Sequence, residues 1–202
     1  YSVQDNKLDL FMEIMPNLER QLRIGMVLNY VHLRDNLLHT VSADNYDFIS
    51  HAYFNYYINN EDSPTFASRG WKFNLNGKYI IPVVRLDDGS RMSNSFIVKA
   101  DVNGSIAVGE KHSLKLGATA GTSLMAQEPP LSYQFFVGGQ SHMKYFDNII
   151  SFEGLRFTQL YGDHIALAKV SWQYNFYKNL YAIANVNGGY VAADYENWFV
   201  DD

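Results

Sequence analysis

The chain has 202 residues, a formal net charge of −5 and no cysteine, which excludes disulfide bridges and thiolate metal sites and argues against nucleic acid as a partner. Charged residues make up 18% of the chain and aromatic residues 15%, which is little charge for a soluble domain. No run of the sequence reaches the roughly 18 apolar residues of a membrane-spanning helix, so a helical membrane protein is excluded as well.

Alternation of apolar and polar residues is the strongest pattern in the chain, and it predicts about eight β-strands. In chain order the predicted strands are 7–15, 21–31, 47–59, 71–81, 96–108, 114–124, 164–176 and 180–191. In the fifth of them, Phe96 and Val98 fall on one face, and Lys99 and Asp101 fall on the other. Most of these strands are as long as the roughly 9 to 11 tilted residues that cross a bilayer.

The predicted connections largely alternate between short and long. In chain order they are 16–20, 34–46, 60–69, 83–92, 109–112, 127–160 and a tight turn near Lys178. Outer-membrane barrels have short periplasmic turns on one rim and long external loops on the other. Aromatic residues also cluster near strand ends, at 53–57 and 172–177, as in the girdles at membrane interfaces. These patterns predict an all-β, antiparallel, up-and-down transmembrane β-barrel.

A soluble β-sandwich or a lipocalin-like barrel is the alternative fold, because its strands alternate in the same way. The polar faces of the predicted strands carry lysine and asparagine in mid-strand, as at Lys72, Asn74 and Asn76. A soluble barrel places such residues outside and keeps its interior apolar, and the strand lengths favour the membrane fold. The sequence leaves open which face would meet lipid.

Residues 63–79, SPTFASRGWKFNLNGKY, form an element that opens a long predicted strand. Pro64 and Thr65, followed after an insertion by Arg69 and Gly70, resemble the strand-opening element of the bacterial surface antigen barrels. These barrels form the large outer-membrane assembly and transport superfamily. The resemblance implies an outer-membrane barrel.

The last third of the chain carries a more specific resemblance. A Phe-Phe-x-Gly-Gly element ends at Gly138 and Gly139, and a Phe-x-Gly-x-x-Phe element follows with Phe152, Gly154 and Phe157. This order is similar to the C-terminal barrel of Bacteroidetes-type patatin-like phospholipases. The resemblance implies a barrel of about sixteen strands, of which residues 1–202 supply about eight as one segment that is incomplete at both ends.

The same resemblance implies that the loop after Gly139 folds into the lumen of the barrel. In the superfamily this loop carries a Val-Arg-Gly-Phe/Tyr motif whose arginine contacts the inner wall. Lys144 stands at the position of that arginine. Because lysine lacks the planar guanidinium that makes two parallel hydrogen bonds, the resemblance gives Lys144 the position of the arginine without its bidentate contact.

No complete catalytic site is evident in the sequence. A patatin hydrolase needs a serine on a Gly-x-Ser-x-Gly elbow, and the runs around Ser123 and Ser141 lack the final glycine. The six histidines have no metal-site spacing, and the acidic turns at 43–45 and 87–89 are typical of hairpin closure. We therefore expect no catalytic residue, metal or cofactor in this segment.

Basic residues recur on the polar faces of the predicted strands. They are Arg23, Lys72, Lys78, Lys99, Lys115 and Lys169, with Asp101 among them. Such a face either steers an anionic segment through the barrel or forms a hydrated interior in which charges neutralise one another. The second interpretation is the simpler one.

Three functions are compatible with these patterns. The first is an outer-membrane barrel that anchors or translocates an upstream patatin-like lipid hydrolase, with catalysis in that upstream part. The second is the barrel of a protein insertase or a two-partner-secretion transporter, and the third is a soluble β-domain that binds a ligand. The first two place the chain in the bacterial outer membrane, with lipid and a fused or secreted passenger as partners. The sequence does not indicate the oligomeric state.

Overall fold

The computed structural model describes residues 2–34, 45–85, 94–125, 134–139, 148–178 and 180–192. Within these ranges the structure consists of strands, turns and irregular loops, and no helix there is long and apolar enough to span a membrane. The long strands are β1 (Ser2–Asn17), β2 (Arg20–Arg34), β3 (Asn45–Asn59), β4 (Gly70–Arg85), β5 (Ser95–Ala107), β6 (His112–Met125), β10 (His164–Tyr177) and β11 (Leu180–Ala192). The short strands are β7 (Phe135–Val137), β8 (Ile149–Ile150) and β9 (Leu160–Gly162).

The eight long strands form one antiparallel sheet in the order β1-β2-β3-β4-β5-β6-β10-β11, which confirms the predicted all-β, up-and-down arrangement. Several strands are longer than predicted, as in β1, which begins at Ser2 instead of residue 7. The added residues include Gln4, Asp5 and Asn6, which pair with β2 through the backbone. Backbone pairing needs no apolar side chain, so alternation underestimates strand length.

The sheet does not close on itself within the described residues. Within those residues β1 pairs with β2 alone, and β11 pairs with β10 alone. The two outermost strands are therefore edges, and the sheet is consistent with a part of a barrel.

The long connection between β6 and β10 contains structure that alternation did not predict. Its described residues, 134–139 and 148–163, are named here the lumen segment. They contain β7, β8 and β9, which form a second sheet with β7 in the middle, parallel to β8 and antiparallel to β9. Strands of two or three residues are too short to show a period.

The two faces of the large sheet differ sharply in charge. Following the strand register, one face carries Ile24, Val102 and Val170, which are 46%, 44% and 45% exposed. Among its described side chains, the one residue of the Asp, Glu, Lys or Arg type is Arg20, at the first position of β2. Exposed apolar side chains without charge are what hydrocarbon requires, so this outer face is the one suited to lipid. A soluble barrel would have buried it.

The opposite face, named here the lumen wall, packs against the lumen segment near one end of the sheet. Ile80, Ile97 and Ile165 of the wall form a core with Phe135 and Val137 of the segment. Each of these five side chains is at most 5% exposed. The core thus lies inside the curved sheet, on the face that is otherwise polar.

Gly121 makes room for this core. It is the register partner of Ile165 in the β6–β10 ladder. A Cβ atom on Gly121 would lie 2.7 Å from Cζ of Phe135, closer than two carbon atoms approach. The absent side chain lets the edge of the Phe135 ring approach β6 closely.

The substitution Phe135→Ala is expected to release the lumen segment from the wall. Truncating a buried phenylalanine costs about 3–5 kcal/mol, and Phe135 is 1% exposed. The measurement is hydrogen exchange of the amides of β7 in the membrane-inserted protein, with Phe157→Ala as the matched control because Phe157 is 42% exposed. Unchanged protection of β7 in Phe135→Ala would contradict this account of the core.

Candidate functional site

The lumen wall carries most of the charged side chains of the sheet. Following the register, its described side chains include seven basic and three acidic residues. The basic ones are Lys7, Arg23, Lys72, Lys78, Lys99, Lys115 and Lys169, and the acidic ones are Asp9, Glu13 and Asp101. The wall is therefore net positive, in contrast to the chain as a whole.

A cavity of about 510 Å³ lies between the wall and the lumen segment. Arg23, Lys78 and Lys99 line it from the wall, and Phe135 and Asn148 line it from the segment. Its lining combines basic groups, amides, the Asp9 carboxylate and the rings of His51, Tyr53 and Phe135. Such a cavity suits water and polar or anionic groups better than an apolar ligand.

The carboxylates of the wall are engaged locally at the β1 end of the sheet. Glu13 forms an ion pair with Arg23 at 3.2 Å, and the Arg23 guanidinium lies 4.4 Å from the centre of the Phe11 ring. The Tyr53 hydroxyl donates a hydrogen bond of 2.9 Å to Asp9.

Asp101 is engaged in the same way in the middle of the sheet. It accepts a hydrogen bond of 2.8 Å from Thr119 and lies 3.6 Å from the ammonium of Lys99. All three carboxylates of the wall thus have neighbours on the wall itself, and the excess of basic residues defines the charge that faces the lumen.

The glycine pair predicted as part of the lumen loop forms the turn that leaves β7. Gly138 and Gly139 have φ angles of 140° and 68°, which favour glycine because a Cβ is strained there. The Gly138 amide donates to the carbonyl of Ile150 at 3.0 Å, and the Gly139 amide donates to that of Leu155 at 3.1 Å. The turn therefore connects two stretches of the lumen segment.

The predicted Phe-x-Gly-x-x-Phe element packs against this turn. The Phe152 amide donates to the carbonyl of Gly139 at 3.2 Å, and a Cβ on Gly139 would lie 2.9 Å from Cα of Phe157. Gly154 has a φ of 94°, another conformation that suits glycine. Five of the six residues singled out from the sequence are thus brought together, and Lys144 lies outside the described residues.

The lumen segment is attached to the wall through Glu153, which sequence analysis did not single out. Glu153 forms an ion pair with Lys169 at 2.6 Å, and its backbone carbonyl accepts a hydrogen bond of 3.0 Å from the side chain of Asn187. Glu153 occupies the variable position of the Phe-x-Gly element. The sequence signal that could have found it is a single acidic residue in a loop, which a basic strand face could bind. This contact is a lumen-to-wall attachment in the described part of the chain.

The remaining candidates from the sequence are separated in space. Ser123 lies within β6, and its amide donates to the carbonyl of Asp163 at 2.8 Å, so the run around it is a strand instead of an elbow. The run around Ser141, except for Gly139, lies outside the described residues. The turn at 87–89 lies outside them as well, and so does the turn at 43–45 except for its last residue. Within the described ranges no three His, Asp or Glu side chains are grouped as a metal site.

Comparison with known proteins identifies the family. A search of the curated proteins found no match. The family model described as the OMP85 superfamily matches residues 1–200, nearly the whole chain. The match confirms the resemblance at the level of the outer-membrane assembly superfamily and names no patatin-like branch. The chain belongs to the OMP85 superfamily.

Proposed function

We propose that the chain forms part of a β-barrel in a bacterial outer membrane whose polar lumen conducts a polypeptide. Membership of the OMP85 superfamily implies an outer-membrane barrel of the insertase or transporter type. The observation that carries the proposal is the contrast between an outer face nearly free of charge and a net positive wall on the opposite face. Lipid suits the first face and a hydrated passage suits the second.

The proposed passenger or fused partner is a patatin-like lipid hydrolase encoded upstream. Support comes from the order of the Phe-Phe-x-Gly-Gly and Phe-x-Gly-x-x-Phe elements, which meet in one turn through Gly139 and Phe152. In this proposal the barrel anchors or exports the hydrolase, and catalysis belongs to the hydrolase.

An insertase or two-partner-secretion barrel is the second candidate. The superfamily match favours it equally, because that match covers barrels of the insertase and transporter type. The sequence of the parent gene decides between the two candidates. A Gly-x-Ser-x-Gly elbow upstream supports the hydrolase, and tandem small α/β repeats without such an elbow support the insertase or transporter.

The edges of the sheet also bear on the proposal. In hydrocarbon an unpaired backbone amide or carbonyl costs several kcal/mol, and β1 and β11 each have one described ladder. We propose that further strands pair with both edges and complete a barrel of about sixteen strands.

A charge on the outer face is expected to impair membrane insertion. Val102→Arg places a guanidinium at the middle of β5 on the outer face, which costs about 2–4 kcal/mol near the bilayer midplane. Asn103→Arg, one residue along, places the same group in the lumen and is the matched control. The measurement is the folded fraction in lipid bilayers, read from the mobility of unheated protein on a gel. Equal loss in both variants would contradict the assignment of the faces.

Reversing one charge of the Glu153–Lys169 ion pair is expected to loosen the attachment of the lumen segment to the wall. Reversing both charges is expected to restore the attachment. Glu153→Lys faces Lys169 with a like charge, whereas Glu153→Lys combined with Lys169→Glu recreates the pair. Because Lys169 is 44% exposed, the coupling should be modest, at about 0.2–1 kcal/mol. The rate at which a protease cleaves the lumen segment in the membrane-inserted protein measures this coupling. No rescue in the double variant would show that the ion pair does not hold the segment.

A further inference from the structure

We propose that residues 60–69, named here the strap, form a gate that closes the lumen at the rim of the short turns. This inference rests on the proposed barrel and goes beyond it, because it assigns closure of the lumen to a connection that was predicted as an ordinary loop. The strap joins β3 to β4. It belongs to the same rim as the turns after β1, β5 and β10, since the strands alternate in direction.

The strap crosses the lumen mouth instead of following the rim. The Phe66 ring stacks on the Tyr181 ring, with centroids 4.2 Å apart and planes at 13°. Tyr181 belongs to β11, and β5, β6 and β10 lie between β11 and the strand β4 that follows the strap. Tyr181 faces the lumen, because it is two residues before Ile183, the register partner of Gln173. A ring contact across three intervening strands requires the strap to span the inside of the curved sheet.

Burial at this end of the wall agrees with a covering strap. Ala67 is 3% exposed although it belongs to a connection between strands. On the wall, Ser113 and Gln173 are register partners near the short-turn rim, and they are 1% and 3% exposed. The lumen segment packs at the other end of the wall, around Ile80 and Ile165, whereas the strap belongs to the rim near Ser113 and Gln173.

Charge complementarity adds to the fit. The carboxylates of Glu61 and Asp62 lie within electrostatic range of the Lys115 ammonium on the wall. The strap thus brings two carboxylates to a wall that is net positive, and its own Arg69 offsets one of them. In this respect it resembles the lumen segment, which brings Glu153 to Lys169.

The strap is held together by its own hydrogen bonds. Asp62 accepts hydrogen bonds from the Ser68 amide at 2.8 Å, the Ser68 hydroxyl at 2.5 Å and the Arg69 amide at 3.2 Å. The Asp62 amide donates to the carbonyl of Arg69 at 3.1 Å. These bonds, above all that from the Ser68 hydroxyl, hold the pKa of Asp62 below its ordinary value. They close the strap into a compact loop with its own hydrogen-bond network.

Closure of the strap against the wall has a cost. The Ser113 hydroxyl oxygen and the Gln173 carbonyl oxygen are buried without a hydrogen-bond partner among the described residues. The cost of burying a polar group without a partner is comparable to what an aromatic pair contributes beyond its buried area. In this proposal, lifting the strap rehydrates both oxygens, which offsets part of the contact energy that is lost. This balance is what a gate requires.

The test is the ionic current of the parent protein in planar lipid bilayers. Phe66→Ala removes the stack and is expected to raise the open fraction roughly three- to tenfold. Phe176→Ala is the matched control, because Phe176 lies near the same rim on the outer face and is 49% exposed. A short, reducible thiol cross-linker between Phe66→Cys and Tyr181→Cys should hold the gate shut, and reductant should restore the current. Residues 1–202 contain no cysteine that would compete for the cross-linker.

Two results would overturn the gate. One is an inserted protein whose current is the same in Phe66→Ala, in the cross-linked pair and in the unmodified form. The other is an inserted protein that passes no current in any variant. Insertion is measured separately, by the mobility of unheated protein, so failure of the gate is distinguished from failure of the barrel. A protein that never inserts overturns the proposed function and the strap with it.

Discussion

The structure depends on one constraint, which is that hydrocarbon supplies no hydrogen-bond partner to a backbone. Every amide and carbonyl at membrane depth must then be satisfied by a neighbouring strand. The ladder between β2 and β3 shows the result, because it runs without a break from Arg20 and Ile58 to Leu33 and Asn45. Regular ladders force strict alternation of side chains, and alternation separates the outer face from the lumen wall. The charge contrast between the two faces is therefore a consequence of the backbone.

Regular pairing explains why the large sheet was predictable from the sequence. Where one face meets lipid and the other meets water, the polarity of each residue indicates the face on which it lies. The predicted strands 96–108 and 164–176 therefore agree with β5 and β10 to within about one residue at each end. Alternation is symmetric, however, so it does not say which face is outside. That decision needed a long-range contact, the packing of Phe135 against Gly121 and Ile165 on the polar face.

The interior of the lumen was less predictable for a physical reason. Resemblance located Gly138, Gly139 and Phe152 in one loop. Their contacts join residues 12 to 16 positions apart through backbone groups, which leave no trace in the side-chain pattern. The attachment of Glu153 to Lys169 depends on how a three-stranded sheet lies on an eight-stranded one. No local preference of either residue encodes that placement. For the same reason the sequence did not predict the stacking of Phe66 on Tyr181.

The two inward segments differ in how firmly they are held, and that difference suggests how such a lumen divides its tasks. The lumen segment buries Phe135, Val137 and Ile150 against the wall, and a buried large apolar side chain contributes about 1.5–3 kcal/mol. Its exposed ion pair adds at most about 1 kcal/mol. The strap buries Ala67 and one aromatic stack, a much smaller apolar area. Any change that opens the lumen should therefore begin at the strap, with the lumen segment still docked. A passenger that entered from the rim of the short turns would meet the weaker closure first, and the net positive wall behind it would favour an acidic leading segment.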